Sequence, residues 1–169
     1  MFLNFNYTST IEQYLDLFDK TKCEVKYIHG KLDDENNPII FGYGDESNEY
    51  FEKIENVNDN ELTKHLKSFS YLTTNNYKEL FNFLYQGSFR VYVLGHSLGL
   101  SDRLLLNHIF EHERFEMVKL YYYQVNNQEN DFFFKTQELS RHFKLNSKHK
   151  MRTSVFPFSK SKPLTIYKP

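Results

Sequence analysis

The pentapeptide Gly95-His96-Ser97-Leu98-Gly99 follows directly on the apolar run Phe89-Arg90-Val91-Tyr92-Val93-Leu94. A G-x-S-x-G turn after a strand lifts a serine hydroxyl out of the chain, and a downstream acid and histidine complete a hydrolytic triad. Asp131 and His142 stand in that chain order. Two features weaken this serine-hydrolase alternative. Leu100-Ser101-Asp102-Arg103 separates the turn from the next helix, and the chain leaves little room for a hydrolase sheet. A glycine-bounded turn offering Ser97 to a bound ribose or phosphate fits the same residues better.

Other residues have chemistry to offer beside a structural explanation. His29 closes an alternating segment and precedes Gly30, which predicts an imidazole at a strand-end rim, fit to act as a general base. A satisfied structural histidine is its plainer reading. Asn6 stands at the end of the first strand, where its amide either orients a ligand hydroxyl or water or caps the turn. Asp102 reads as the cap of the helix that follows. His108-x-x-Glu111-His112 resembles an inverted zinc-protease signature. No third ligand accompanies it, so no metal site is expected. Tyr121-Tyr122-Tyr123 lies in a strand and reads as core packing.

The elements that must hold these groups alternate. Strands are predicted at Met1–Asn6, Glu24–Ile28, Pro38–Gly42, Phe89–Leu94 and Glu116–Gln124. Helices are predicted over about 10–20, where Thr8 to Thr10 precede Glu12, and over about 46–55. Others cover 60–86 with a break near Thr73–Asn76, 102–112, and about 135–143. The end of the chain reads as coil. Alternation of this kind predicts an α/β protein with a mostly parallel sheet flanked by helices. Ligands bind such sheets at the carboxyl ends of strands. Those ends read Asn6-Tyr7-Thr8, His29-Gly30, Gly42-Tyr43-Gly44 and Gly95-His96-Ser97, and one sheet would gather them on one rim.

The 169 residues, 40% hydrophobic and 25% charged, describe a globular chain and exclude a disordered one. No apolar run approaches the roughly 20 residues of a membrane span, and the amino terminus lacks the basic start and apolar core of a signal peptide. A single cysteine, Cys23, cannot form a disulfide framework, so a reducing cytoplasm is the expected location. There is no alanine, while Phe (17) and Tyr (13) are abundant, so aromatic rings must fill the core. The formal net charge is −1, but residues 135–169 hold nine of the 21 Lys and Arg and a single acid, Glu138. Residues 144–169 are therefore expected as a basic tail behind a domain at 1–143. Such a tail either neutralises the acidic body or serves a partner. No nucleic-acid-binding motif accompanies it.

Seven segments, in this order, carry a family likeness. They are Asn4-Phe5-Asn6-Tyr7-Thr8, Ile28-His29-Gly30, Phe41-Gly42-Tyr43-Gly44-Asp45-Glu46, Lys67-Ser68-Phe69-Ser70-Tyr71-Leu72, Val91 to Arg103, Leu105 to His112, and Ser140-Arg141-His142-Phe143. Together they resemble the AbiH family of bacterial abortive-infection proteins, which protect a population against bacteriophage. The likeness is to the carboxyl-terminal part of such proteins. It implies a Rossmann-like domain incomplete on its amino-terminal side, where members carry a Gly-Asn-Gly-Phe-Asp loop.

The chain is also distantly similar to sirtuin-like NAD-binding domains of other phage-defence proteins. That similarity implies that Asn6 positions a water or ribose, that His29 is the catalytic base, and that Ser97 contacts ribose. Thr8 stands where the sirtuin-like pattern has an acid. A cofactor site of Gly30, Gly95, His96, Ser97 and Asp102 is the resulting expectation, with NAD or a related nucleotide as ligand and its hydrolysis as the reaction. The expected partners are that nucleotide, a chain supplying the missing front segment, or a second copy. Neither nucleic acid nor a membrane is expected. The alternative is a non-catalytic interaction module acting through its basic tail.

Overall fold

The computed structural model describes residues 1–19, 22–42, 50–126 and 128–165. They gather into two compact units, Met1–Phe83 and Leu84–Pro169. Both are built on parallel strands, and the protein is α/β with two small parallel sheets flanked by helices.

In the first unit, β1 (Phe2–Asn4) pairs with β2 (Val25–Tyr27), Phe2 opposite Val25 and Asn4 opposite Tyr27. The connection between them holds a 3₁₀ helix, Ser9–Leu17, where a regular helix is predicted. Thr8 does not cap it: its hydroxyl meets Thr10 Oγ1 instead. None of its residues is fully buried, so packing gives the wider α form no advantage. Pro38–Gly42, predicted as a strand, joins no ladder. The Ile40 amide donates to the His29 carbonyl (2.9 Å) and the Lys31 amide to the Asn37 carbonyl (3.0 Å), bonds across a turn rather than a ladder. Among the described residues there follow α1 (Phe51–Glu55), α2 (Asn60–Thr63), α3 (Lys67–Ser70), a 3₁₀ turn (Tyr71–Thr73) and α4 (Asn76–Leu84), which reaches the boundary with the second unit. The predicted break before Asn76 is present as Thr74–Asn75. Residues 46–49 of the helix expected at 46–55, and Tyr43 and Gly44 of the expected rim, lie outside the described residues.

The second unit carries the order β3-β4-β5. β3 (Phe89–Val93) lies parallel to β4 (Phe115–Tyr122), Val93 opposite Leu120, and α5 (Arg103–Glu111) makes the crossover. Leu105, Leu106, Ile109 and Phe110 form the buried stripe of α5, at the spacing of a helix packed by one face. On β4 the buried positions Val118, Leu120 and Tyr122 follow the two-residue period of a strand. Phe110 stacks on Phe143 and meets Phe115 edge-on, each at 5.6 Å between ring centres. Aromatic rings thus fill the volume that a chain without alanine cannot fill with small residues.

The carboxyl-terminal segment is not coil. After α6 (Phe132–Ser140) come α7 (Lys148–Ser154) and β5 (Lys162–Pro163), which pairs with Tyr121 and Tyr122 of β4. Phe156 and Leu164 donate backbone bonds to the Val118 and Tyr122 carbonyls. The element escaped the sequence pattern because two residues cannot show a period; the ladder is what holds them. Two of the segment's cations are engaged internally, Lys148 with Ser140 and Lys150 with the His112 carbonyl.

Four strand ends on one rim are not formed. Among the described residues, Asn6 and His29 follow the strands of one sheet and Gly95 to Ser97 follow a strand of another.

Candidate functional site

On the first sheet, Asn4 rather than Asn6 organises the end of β1. Asn4 Oδ1 accepts the Asn6 amide (3.0 Å), and Asn4 Nδ2 donates to the Thr8 carbonyl (3.1 Å). Asn6 is exposed. His29 lies inside, not on an open rim, with 4% of its surface accessible. Its ring meets Phe5 edge-on at 5.5 Å and stacks toward Tyr71 at 6.0 Å. Gly30 turns the chain at φ +87°, and a Cβ there would run into the Pro38 carbonyl. Its glycine is explained by the turn.

Beside this turn is a polar cleft of about 550 Å³ that the sequence reading did not anticipate, lined by Glu12, Tyr27, Lys31, Asp34, Asn37 and Asn76 among others. Tyr27 Oη and Lys31 Nζ both donate to Glu12 Oε1 at 2.8 Å. The bond from Lys31, then that from Tyr27, holds the Glu12 carboxyl below its ordinary range. Burial, reinforced by Glu12, pushes the Tyr27 hydroxyl up to about 12. Asn76 Nδ2 donates to the Tyr27 carbonyl and to Asn37 Oδ1. These residues come from distant parts of the chain, and only Glu12, in the first turn after Thr8, carries a local sequence signal.

On the second sheet, the loop after β3 is bonded at almost every turn. Gly95 takes φ +72° in open space, the nearest atom to a Cβ being Leu164 Cδ2 at 3.7 Å. His96 Nδ1 accepts the Leu98 amide (2.9 Å), and Ser97 Oγ accepts the Gly99 amide (3.3 Å). Leu98 is fully buried and left-handed at φ +59°. From α6 and the turn after it, Lys135 Nζ donates to the His96 carbonyl (2.9 Å) and His142 Nε2 bonds the Leu98 carbonyl (2.8 Å). Asp102 precedes α5 but makes no side-chain cap; its carboxylate lies 3.6 Å from His96 Nε2 and 3.2 Å from Ser101 Oγ.

This wiring does not build a serine triad. The amide after the serine, Leu98, would supply the oxyanion hole, and His96 already occupies it. His142 bonds a carbonyl rather than Ser97, and Asp131 accepts the Tyr123 amide (2.6 Å) and lies 3.7 Å from Lys135. The zinc-like helix is equally explained. His112 is buried, its Nδ1 accepting the Arg114 amide and its ring packed by Tyr85 and Phe89, while His108 is exposed. Among the described residues no three metal-binding side chains converge.

His142 gives the loop a pH dependence. A carbonyl accepts only from a protonated nitrogen, so in the neutral ring the proton sits on Nε2. Nδ1 is buried with no hydrogen-bond partner among the described residues. Burial lowers the pKa from its ordinary 6.5. The unfolded imidazole therefore takes up a proton at a higher pH than the folded one, and stability rises with pH across that interval. This contribution is complete above the unfolded value and is lost as pH falls below it toward the folded value. Denaturant titrations between pH 5 and 8 are expected to show His142→Gln losing less stability on acidification than the native chain. Parallel losses would contradict this.

An α/β protein with two short parallel sheets and a glycine-bounded, hydroxyl-bearing loop at a strand's carboxyl end is the class these features define. The chain belongs to the family described as Bacteriophage abortive infection AbiH, which it matches over residues 1–145. No curated protein and no solved structure matches it, so the sirtuin-like resemblance gains no support there. The family ties the chain to abortive infection of bacteriophage. Among the described residues no helix is long and apolar enough to cross a membrane.

Proposed function

We propose that this AbiH chain acts in phage defence by binding NAD or a related nucleotide at Gly95–Gly99, and that its chemistry is hydrolysis of that nucleotide. The observation carrying this reading is the loop's place: it leaves the carboxyl end of a parallel strand and leads into a helix, where sheets of this kind bind ligands. Ser97 is exposed, and because its oxygen accepts the Gly99 amide, its own proton remains to be donated. The Leu98 and Gly99 amides are already engaged, so an amide cradle for phosphate is reduced. The acidic Asp102 before α5 also disfavours an anion there. Ribose hydroxyls, which both donate and accept, suit Ser97, His96 and Asp102 better.

Hydrolysis would add water to the ribose carbon as its bond to nicotinamide breaks, releasing nicotinamide, ADP-ribose and a proton. The sirtuin-like similarity implies a water-positioning role for Asn6 and a base role for His29, and substitution decides whether either takes part. Calorimetry with NAD, together with an assay of nicotinamide release, tests the whole reading. Ser97→Ala is expected to weaken binding by up to about tenfold, the loss of one ordinary hydrogen bond. Loss of release with retained binding in Asn6→Ala and His29→Ala would assign hydrolysis to them. Unchanged release would remove them from it. Neither binding nor release by the native chain overturns the nucleotide reading and leaves the family role alone.

A further inference from the structure

We propose that Lys135 is a positioning residue whose ammonium sets the shape of the loop carrying Ser97. The inference rests on the reading of Gly95–Gly99 as the binding loop. Lysine is among the residues least often buried without a partner, yet Lys135 is 7% exposed. Its Nζ donates to the His96 carbonyl at 2.9 Å and stands 3.7 Å from Asp131 Oδ2. Asp131 in turn accepts the amide of Tyr123, the residue just beyond β4. One buried cation therefore ties the loop after β3 to the end of β4, its parallel neighbour.

The tie matters because of what it brackets. Ser97 lies between two carbonyls, His96 held by Lys135 and Leu98 held by His142. Leu98 keeps a left-handed backbone, which for a branched side chain costs about 1 kcal/mol or more and persists only where the surroundings impose it. A bond from a charged donor is stronger than a neutral one, so Lys135 is the stronger of the two holds. Each holds a backbone carbonyl, so neither side chain needs to touch a ligand to act.

The test compares the full chain with Lys135→Met and Lys135→Arg by amide hydrogen exchange, thermal midpoint and calorimetry with NAD. In Lys135→Met, exchange at Leu98 and Gly99 is expected to rise about tenfold or more. The β4 ladder amides should change far less, and the dissociation constant for NAD should rise by a similar factor. Lys135→Arg, which keeps charge and donors, should recover most of each. Equal loosening of loop and β4 amides, with a lowered midpoint, would show a merely structural lysine and overturn the proposal. An unchanged loop would do the same. Should Lys135→Met not fold, Lys135→Gln, a donor on a shorter arm, is read against the same outcomes. A native chain that does not bind NAD sinks the nucleotide reading, while the exchange comparison still decides whether Lys135 sets the loop.

Discussion

Phe110→Ala is expected to destabilise the second unit by about 3–5 kcal/mol, the range for deleting a buried aromatic side chain. Phe110 is 0% exposed and sits where α5, β4 and the turn after α6 meet. Its ring contacts Phe115, Phe143 and His142, with centroids 5.6, 5.6 and 6.3 Å away. None of these neighbours can refill the space without leaving its own. The loss should therefore combine the transfer term with an open cavity rather than a relaxed one. Because His142 forms one wall of the cavity and bonds the Leu98 carbonyl, the Gly95–Gly99 loop should loosen before the unit unfolds. Denaturant unfolding followed by far-ultraviolet circular dichroism measures the first effect, and hydrogen exchange at Leu98 and Gly99 the second. A loss under about 1 kcal/mol would mean that the core repacks and that the ring is not what supports the loop.

What could be read from sequence here follows how local the forces are. β3, α5 and β4 were legible because each shows its own period over several residues, and the period comes from the face each element buries. Which strands share a sheet is decided by pairing between distant segments, and no periodicity records it. The split into β1-β2 and β3-β4-β5 was therefore out of reach. β5 depends wholly on its partner. At the sites, Ser97 and Gly95 were found because a glycine-bounded turn after a strand is a local signal. The bonds that redirect the loop were not, since Lys135 and His142 lie about forty residues away from their acceptors. Asn4 and Asn6 are the same residue type two positions apart, and only the hydrogen bonds tell the turn-maker from its exposed neighbour.

Gly30 and Gly95 both have positive φ and both are candidate ligand-binding glycines by sequence, and substitution should separate them. Gly30→Ala is expected to cost the first unit about 3 kcal/mol or more. A left-handed alanine alone accounts for about 1 kcal/mol. The rest comes from its Cβ meeting the Pro38 carbonyl and the backbone of Ile39; that is backbone against backbone, with no flexible side chain to swing aside. Relief would require the turn to open, and with it the bonds of the Gly30 amide to Tyr27 and of the Ile40 amide to His29. Gly95→Ala meets only Leu164 Cδ2 at an ordinary 3.7 Å, so its cost should stay near the conformational 1 kcal/mol. Hydrogen exchange at Gly30 and Ile40, with denaturant unfolding of each variant, measures the contrast. If Gly30→Ala folds with native stability, the turn is not closed as described, and the burial of His29 behind it loses its support. If the two variants differ as expected, Gly30 is a structural glycine, and only Gly95 of the pair is left with space beside it for a ligand.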